Sequence, residues 1–448
     1  MRRLFDTLPP LPLESAGSDY CGDGAHAPSY WAATVPPAPE RPPLAGDMSC
    51  DVCIVGAGFS GLSAALHLAE AGERPLVLEG ARVGWGATGR NGGQVINGFS
   101  ADIDAIRSKY GRRVAALFAD HALEGSRILF RIARQYRIEC DLRRGTLHAA
   151  FTRRQMRGLE AYAEFWQDRG VEEIEMLDRD AMYAHVATDA YVGGLVDRSG
   201  GHIHPLKLAL GEAAAAERLG ATIHEHTRVT EIEERSDHVR IATTRGTVRA
   251  RRVLVCGNAY LGRVVPQLAS RVLPVSSQVI ATEPLGEETA AALIPSDMCV
   301  EDERFVLDYY KRSADHRLIF GGGVVYGGAD PADIEARLRP AMEKLFPRIA
   351  GVGIDYAWSG NLAVSFSRVP QIGALGARVF FAHGYSGHGV PVAHFFGKLL
   401  AGAARGERTP FDAFARVPWT RFPGGQTFRA PYAALGAWWY GLRDRLGI

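Results

Sequence analysis

Cysteine is scarce in this chain, with six in 448 residues, too few for a disulfide scaffold. Charge of one sign is missing as well. The 51 Lys and Arg against 50 Asp and Glu leave a net +1, so no overall field draws the protein onto nucleic acid or an anionic membrane. No stretch offers the roughly twenty uninterrupted apolar residues of a spanning helix. The nearest, Tyr432 to Tyr440, runs into Arg443, Asp444 and Arg445 and reads as a short amphipathic C-terminal helix. The opening MRRLFDTLPPLPLE lacks the apolar core of a secretory signal. Neither GxSxG nor HExxH occurs, which excludes the nucleophile elbow and the zincin helix. The expectation is a cytoplasmic protein with no nucleic-acid partner and no integral membrane segment.

What is present is an ordinary globular composition, 47% hydrophobic and 23% charged, able to bury a large core. At about 150 residues per domain the length allows roughly three domain-sized lots. Nine of the 24 prolines fall between Pro9 and Pro43, so this arm is expected to be an extended surface strap rather than helix or central strand. From Met48 the pattern changes. Asp51 to Val55 is an apolar run, glycines follow, Leu62 to Ala69 reads as a helix, and Pro75 to Glu79 as a second strand: a βαβ opening. Ala101 to Tyr136 has a helical period. A second segment runs through helix Leu206 to Leu219 and strands Ala221 to His226 and Arg252 to Cys256, and a third from strand Arg378 to Ala382 into helix Pro391 to Ala404. Between these lie strand-like pieces at Val272 to Ala281, Phe305 to Lys311 and Arg317 to Gly322, then a helix over Pro331 to Leu345.

The pattern predicts an α/β fold with two interleaved domains. The expected division is a Pro-rich arm over 1–47, a nucleotide-binding domain from 48–100, 200–262 and 355–405, a substrate domain from 101–199 and 263–354, and a C-terminal extension over 406–448. The sharpest motif is Gly56-Ala57-Gly58-Phe59-Ser60-Gly61 between strand and helix. Gly56 permits a tight turn, Gly58 a close approach to pyrophosphate, and Gly61 close helix–strand packing. Glu79, ending the next strand, is placed to accept from ribose hydroxyls. Gly84-Trp85-Gly86-Ala87-Thr88-Gly89-Arg90-Asn91-Gly92-Gly93-Gln94 suggests backbone wrapped on a large planar group, and its Trp, Arg, Asn and Gln are costly choices for a mobile linker.

Residues 51–94 resemble the glycine/D-amino-acid oxidase superfamily of FAD enzymes, and ARVGWGATGRNGGQ resembles its branch of gamma-glutamylputrescine oxidoreductases. The similarity continues through Gly193 to Asp197, Gly201 to Lys207, Gly384 to Gly389 and the tail FPGGQTFRAPYAALGAWWYGLRDRL. It implies a Rossmann-like FAD-binding domain of the D-amino-acid oxidase type, interleaved with a mixed or antiparallel β-sheet substrate domain. By that resemblance Glu79 holds the adenosine ribose with Gly80 and Arg82 beside it, and Val229 offers its backbone to adenine. Gly89, Arg90, Asn91, Gly92, Gly93 and Gln94 line the flavin, while Cys256, Gly257 and Asn258 pass close to the dinucleotide. Gly384, Tyr385, Gly387, His388 and Gly389 precede a helix whose N-terminus stabilises negative charge on the flavin. Some relatives bind flavin through a cysteine in the region matching Trp358 to Pro370, which here has none, so FAD is expected to be noncovalent.

The implied reaction is oxidation of an amine C–N bond by hydride transfer to the flavin, with imine hydrolysis and reoxidation by O2 or another acceptor. Candidate cavity residues are His204, Tyr309, Lys311 and Trp358, with Gln278, while Glu301, Asp302 and Asp308 are placed to attract a cationic amine. The alternatives are an amino-acid oxidase of the sarcosine, glycine or D-amino-acid type, which needs a carboxylate-binding Arg, and a flavin-binding subunit without turnover. Cys50 and Cys53, and His224 with His226, read as structural rather than metal-binding pairs.

Overall fold

A computed structural model describes residues 24–262, 264–422 and 431–436. The expectations for Pro9 to Pro12 and for the C-terminal helix beyond residue 436 lie outside these residues. The apolar run after Met48 forms the strand Met48–Val55, whose last four residues are buried, as a strand covered on both faces requires. It lies in a sheet ordered Gln371–Ala374, Val379–His383, Thr247–Val255, Met48–Val55, Leu76–Leu78 and Thr222–His224. The last five are parallel, and Gln371–Ala374 adds an antiparallel edge. A ribbon of Val229–Glu234 and Val239–Thr243 extends from Thr247–Val255. Strands from three distant stretches therefore meet in one sheet. Helices Phe59–Glu70 and Gly389–Arg405 pack so closely on one another that a Cβ on Gly397 would stand 2.7 Å from the Ser60 carbonyl oxygen.

The second sheet runs Ile354–Ser365, Val272–Thr282, Leu318–Tyr326, Tyr309–Arg312, Cys299–Asp302, Arg143–Ala150, Gly193–His202 and Gln94–Val95, with Ile174–Leu177 also on Gly193–His202. Its pairs are antiparallel except that Cys299–Asp302 runs parallel to Arg143–Ala150. The chain thus has the mixed α/β architecture expected of it.

Four details differ from expectation. The sequence places 355–405 with the nucleotide segments, yet Ile354–Ser365 pairs along its length with Val272–Thr282, and Gln94–Val95 pairs with Gly201–His202. Both strands cross into the second sheet. The helical stretch 101–136 is three helices, Ile103–Tyr110, Arg112–Asp120 and Glu124–Gln135, broken first at Gly111, where φ is +86°. It packs on the nucleotide helices rather than on the substrate sheet alone, since a Cβ on Gly125 would meet the Pro391 carbonyl oxygen at 2.3 Å. Strand does not begin at Phe305 but at Tyr309, because the Asp302 carboxylate gathers the backbone N–H groups of Arg304 and Asp308, both at 3.0 Å, into a turn.

The Pro-rich arm is the fourth. It is not only a strap. Ser29 caps a short helix, Tyr30–Ala33, by accepting from Ala32 N, and Tyr30 and Trp31 are buried. Proline is absent from this turn, so nothing prevents it from coiling, and the two aromatics carry it into a cluster with Leu206, Val279, Ile319 and Trp358.

Candidate active site

The glycine cluster shapes the first part of the site. Gly56 has φ +103°, and a Cβ on it would press on the Cys256 carbonyl oxygen at 3.0 Å; on Gly61 it would lie 1.9 Å from the Gly56 carbonyl oxygen. Only glycine lets strand, turn and helix approach this closely. Gly58 opens helix Phe59–Glu70 without a side-chain cap, and no acid occupies the first turn, which leaves the positive helix end to an anion. Glu79 follows the strand Leu76–Leu78. Its Oε2 accepts from Ala57 N at 2.7 Å and its Oε1 from Ala81 N at 3.0 Å. Burial pushes this carboxyl above the usual range, against the pull of those N–H groups.

The second glycine loop is held rather than mobile. Asn91 donates to the carbonyls of Ala87 and Thr88 and accepts from Gly93 N at 2.8 Å. Arg90 donates to the Trp85 carbonyl and lies 4.5 Å over its ring, and Gln94 donates to the Val300 carbonyl at 2.8 Å. The costly residues of this loop are its fasteners.

These pieces line one cavity of about 1180 Å³, larger than the roughly 300–1,000 Å³ of most small-ligand sites. Glu79, Gly80, Arg228, Val229 and Thr244 form one group of its walls. Gly56, Gly58, Phe59, Ser60, Cys256, Gly257 and Asn258 form a second. A third comprises Arg90, Asn91, Gly92, Gln94, Tyr309, Gly360, Tyr385, Gly387, His388 and Gly389. A turn-and-helix cradle, a half-buried acid twenty-odd residues on and a long cavity fit an extended dinucleotide. His388 opens helix Gly389–Arg405 without a side-chain cap, and burial lowers its pKa to about 4, so the imidazole stays neutral.

Several expected contacts lie elsewhere. Gly61 packs against the Gly56 carbonyl, the close helix–strand packing expected of it, and Gly89 packs beneath its loop against the Gly84 carbonyl. Gly93, with φ +79°, packs on the Ile203 carbonyl. Gly384 donates to Asn258 Oδ1 at 3.0 Å, and Arg82 is exposed. None of these five lines the cavity.

Of the four candidate catalytic residues, only Tyr309 reaches the cavity. His204 caps helix Pro205–Arg218 instead, its Nδ1 accepting from Lys207 N at 3.2 Å. Trp358 donates to the Arg90 carbonyl at 2.8 Å. Lys311 donates to the Ile203 carbonyl at 2.5 Å, with its Nζ 5.0 Å from the Trp31 ring. These three are buried in the wall behind the loop, together with the arm. Gln278 is fully buried too and donates to the Ser276 carbonyl.

Among the three acids, Asp302 and Asp308 both bind Arg304, whereas Glu301 lines the cavity. Arg304, Phe305, Leu307 and Arg368 line it as well, and sequence reasoning missed them. Arg368 sits at φ +57°, a conformation that no local residue pattern announces. Among the described residues no group of His, Cys, Asp and Glu is arranged for a metal, the cysteines are free, and no helix is long and apolar enough to cross a membrane.

Comparison with known proteins agrees with this geometry. Residues 51–403 match the DAO family model, described as FAD dependent oxidoreductase. The chain is 47% identical over 424 residues to gamma-glutamylputrescine oxidoreductase of Escherichia coli K12, covering 94% of this chain and 99% of that one. It is 37% identical to the probable oxidoreductase OrdL of Haemophilus influenzae, covering 91% and 94%. Glycine oxidase from Geobacillus kaustophilus shares the fold, with a TM-score of 0.70 at 23% identity over 84% of this chain and all of that one. The nucleotide cradle, the cavity and these similarities together place the chain in the DAO family of FAD-dependent oxidoreductases.

Proposed function

We propose that this protein oxidises the C–N bond of a primary or secondary amine of the gamma-glutamylputrescine type. The observation that carries the reading is the 47% identity to the E. coli enzyme across nearly the full length of both chains. Bound FAD supplies the acceptor for the hydride leaving the amine-bearing carbon, the imine hydrolyses to a carbonyl compound, and O2 takes the electrons as H2O2. The protein's own part is binding, orientation and exclusion of water. Glu79 would hold the ribose hydroxyls, the Val229 backbone the adenine, and the N-terminus of Phe59–Glu70 the pyrophosphate. The N-terminus of Gly389–Arg405 would favour negative charge on the flavin. Tyr309, on the second sheet, forms the wall facing the Arg90 to Gln94 loop.

FAD is held without a covalent bond in this reading, as no cysteine lies between Trp358 and Pro370. Acid precipitation then releases the yellow chromophore into the supernatant. A chromophore that stays with the pellet rules this out.

One observation favours the second reading, amino-acid oxidation. Arg368 lines the cavity, 5.0 Å over the Phe305 ring, with no carboxylate among the described residues in ion-pair contact, and so offers a site for a substrate carboxylate. Anaerobic mixing of the holoenzyme with gamma-glutamylputrescine, other amines, sarcosine, glycine and D-amino acids decides between them. Bleaching by the amines alone supports the first reading, and bleaching by small amino acids replaces it with the second. A flavin that no member of the panel bleaches marks a subunit without turnover. Admitting air tests the acceptor: rapid return of the yellow colour with H2O2 marks an oxidase, and a colour that returns only with an added electron acceptor marks a dehydrogenase.

A further inference from the structure

One transverse row of the second sheet reaches the cavity at Glu301 and Tyr309. Parallel register sets Glu301 beside His148, and antiparallel register sets Glu301 beside Tyr309 and Tyr309 beside Gly321. Paired positions share a face of the sheet. The Tyr309 ring lies across Gly321, where a Cβ would stand 2.1 Å from its Cε2, and it also touches Gly92 of the second glycine loop. Glu301 therefore stands next to the aromatic wall that the same loop contacts.

Glu301 is only 9% exposed, yet it lines the cavity. Its carboxylate accepts no hydrogen bond from any described residue. Its one ion-pair partner among the described residues is His148, whose Nδ1 is 3.3 Å from Oε1, and the same nitrogen lies 3.4 Å from Glu303 Oε1. One ring nitrogen shared by two carboxyl groups leaves Glu301 without a full partner of its own. Arg304, three residues on, pairs with Asp302 and Asp308, and no ion pair joins it to Glu301 among the described residues. Burial opposes charge on His148, but Glu303 and Glu301 outweigh it and hold the pKa at about 9. Burial pushes Glu301 up to about 7, against the pull of His148. A nearly buried carboxylate without a full set of donors is costly unless a cation joins it.

We propose that Glu301 is the amine-binding residue, its free carboxylate oxygen pairing with the ammonium group of a substrate whose carbon chain lies against Tyr309. This assignment rests on the reading of the protein as an amine oxidoreductase. His148 is the positioning residue that keeps the carboxylate aimed and partly compensated.

The test uses the holoenzyme and two probes that cannot be oxidised at the amine carbon. One is gamma-glutamyl-(4-amino-4-methylpentyl)amide, whose amine-bearing carbon has no hydrogen. The other carries a hydroxyl in place of that amine. Binding is read by anaerobic isothermal titration in wild type and in Glu301→Gln. Wild type binds the amine at least about tenfold more tightly than the alcohol, as a charge-assisted contact requires, and E301Q reduces that ratio to within about threefold. If wild type prefers the amine and E301Q keeps the preference, the Glu301 assignment falls and the amine reading stands. If wild type shows no preference, both fall. Should E301Q fail to take up FAD, Glu301→Asp keeps the charge but shortens its reach. It must weaken the amine by about threefold or more while leaving the alcohol unchanged, and equal weakening of both overturns the assignment.

Discussion

The indole N–H of Trp31 donates to the backbone carbonyl of Asn91 at 2.9 Å, tying the N-terminal arm to the loop whose side chains fasten the cavity wall. Trp31 is 1% exposed and stands edge-on to Trp358 and His204, with centroids 5.9 and 4.7 Å away. Trp31→Ala therefore removes a full aromatic from a packed cluster and is expected to cost about 3–5 kcal/mol. It also releases the Asn91 carbonyl, so FAD affinity falls together with Tm. Thermal denaturation with and without added FAD checks both. A variant with wild-type Tm would show that the arm merely rests on the surface.

Glu79 uses both carboxylate oxygens on backbone N–H groups, from Ala57 and Ala81. Glu79→Gln turns an NH2 group toward one of these donors. The mismatch costs about 1–3 kcal/mol, and the FAD dissociation constant rises roughly five- to 150-fold. Fluorescence titration of apoprotein with FAD measures it, and an unchanged constant contradicts the role given to this acid.

Gly61 leaves no room for a methyl group, because a Cβ would lie 1.9 Å from the Gly56 carbonyl oxygen. Gly61→Ala is expected to displace the turn and yield protein with little FAD. Gly72 supplies the contrast: it has φ +84° and open space around its Cβ position. Gly72→Ala costs only about 1–2 kcal/mol of backbone strain and retains its flavin. The ratio of flavin to protein absorbance in the two purified variants settles the matter, and equal ratios would refute the packing argument.

Acid sensitivity follows from His204. Burial, with help from Lys207 and Lys311, lowers its pKa to about 2, and as the acceptor of Lys207 N its Nδ1 must stay unprotonated. In the unfolded chain it titrates near 6.5. Between about 2 and 6.5 the unfolded state binds a proton that the folded state refuses, so stability drops as pH falls below 6.5, by up to about 1.4 kcal/mol per unit. His204→Asn keeps a capping side chain without the titration. Urea midpoints from pH 7 to pH 5 are expected to fall less steeply in the variant than in wild type, and parallel slopes would assign the acid sensitivity to other groups.

The nucleotide sheet was legible in sequence because its signals are local: the apolar run before Gly56, the helix after it and the acid at Glu79 all lie within one short stretch. The second sheet was not legible in the same way. Tyr309 and Lys311 are two positions apart on one strand and share a face, yet Tyr309 borders the cavity while Lys311 lies under Gly93. Alternation along a strand tells one face from the other but not which part of a face a distant loop covers. His204 and Trp358 were misplaced for a related reason, since the residue that covers them, Trp31, lies in a proline-rich arm whose composition announces no core. Glu301 was named among three acids, and only the turn around Arg304 separates it from the other two.

The parallel sheet has a further consequence, for synthesis. Val379–His383 pairs with Thr247–Val255, which pairs with Met48–Val55. Some 300 residues separate Leu78 from Val379, so at about 5–20 residues per second the first βαβ unit leaves the ribosome roughly 15–60 s before its sheet can be completed. During that interval Leu76–Leu78 waits for Thr222–His224 and Met48–Val55 for Thr247–Val255, and Thr247–Val255 then keeps an open edge, exposed to any other extended segment, until Val379–His383 is made. The dinucleotide cradle is written early in the chain but closed late, when Val379–His383 brings the Gly384 to Gly389 turn to it.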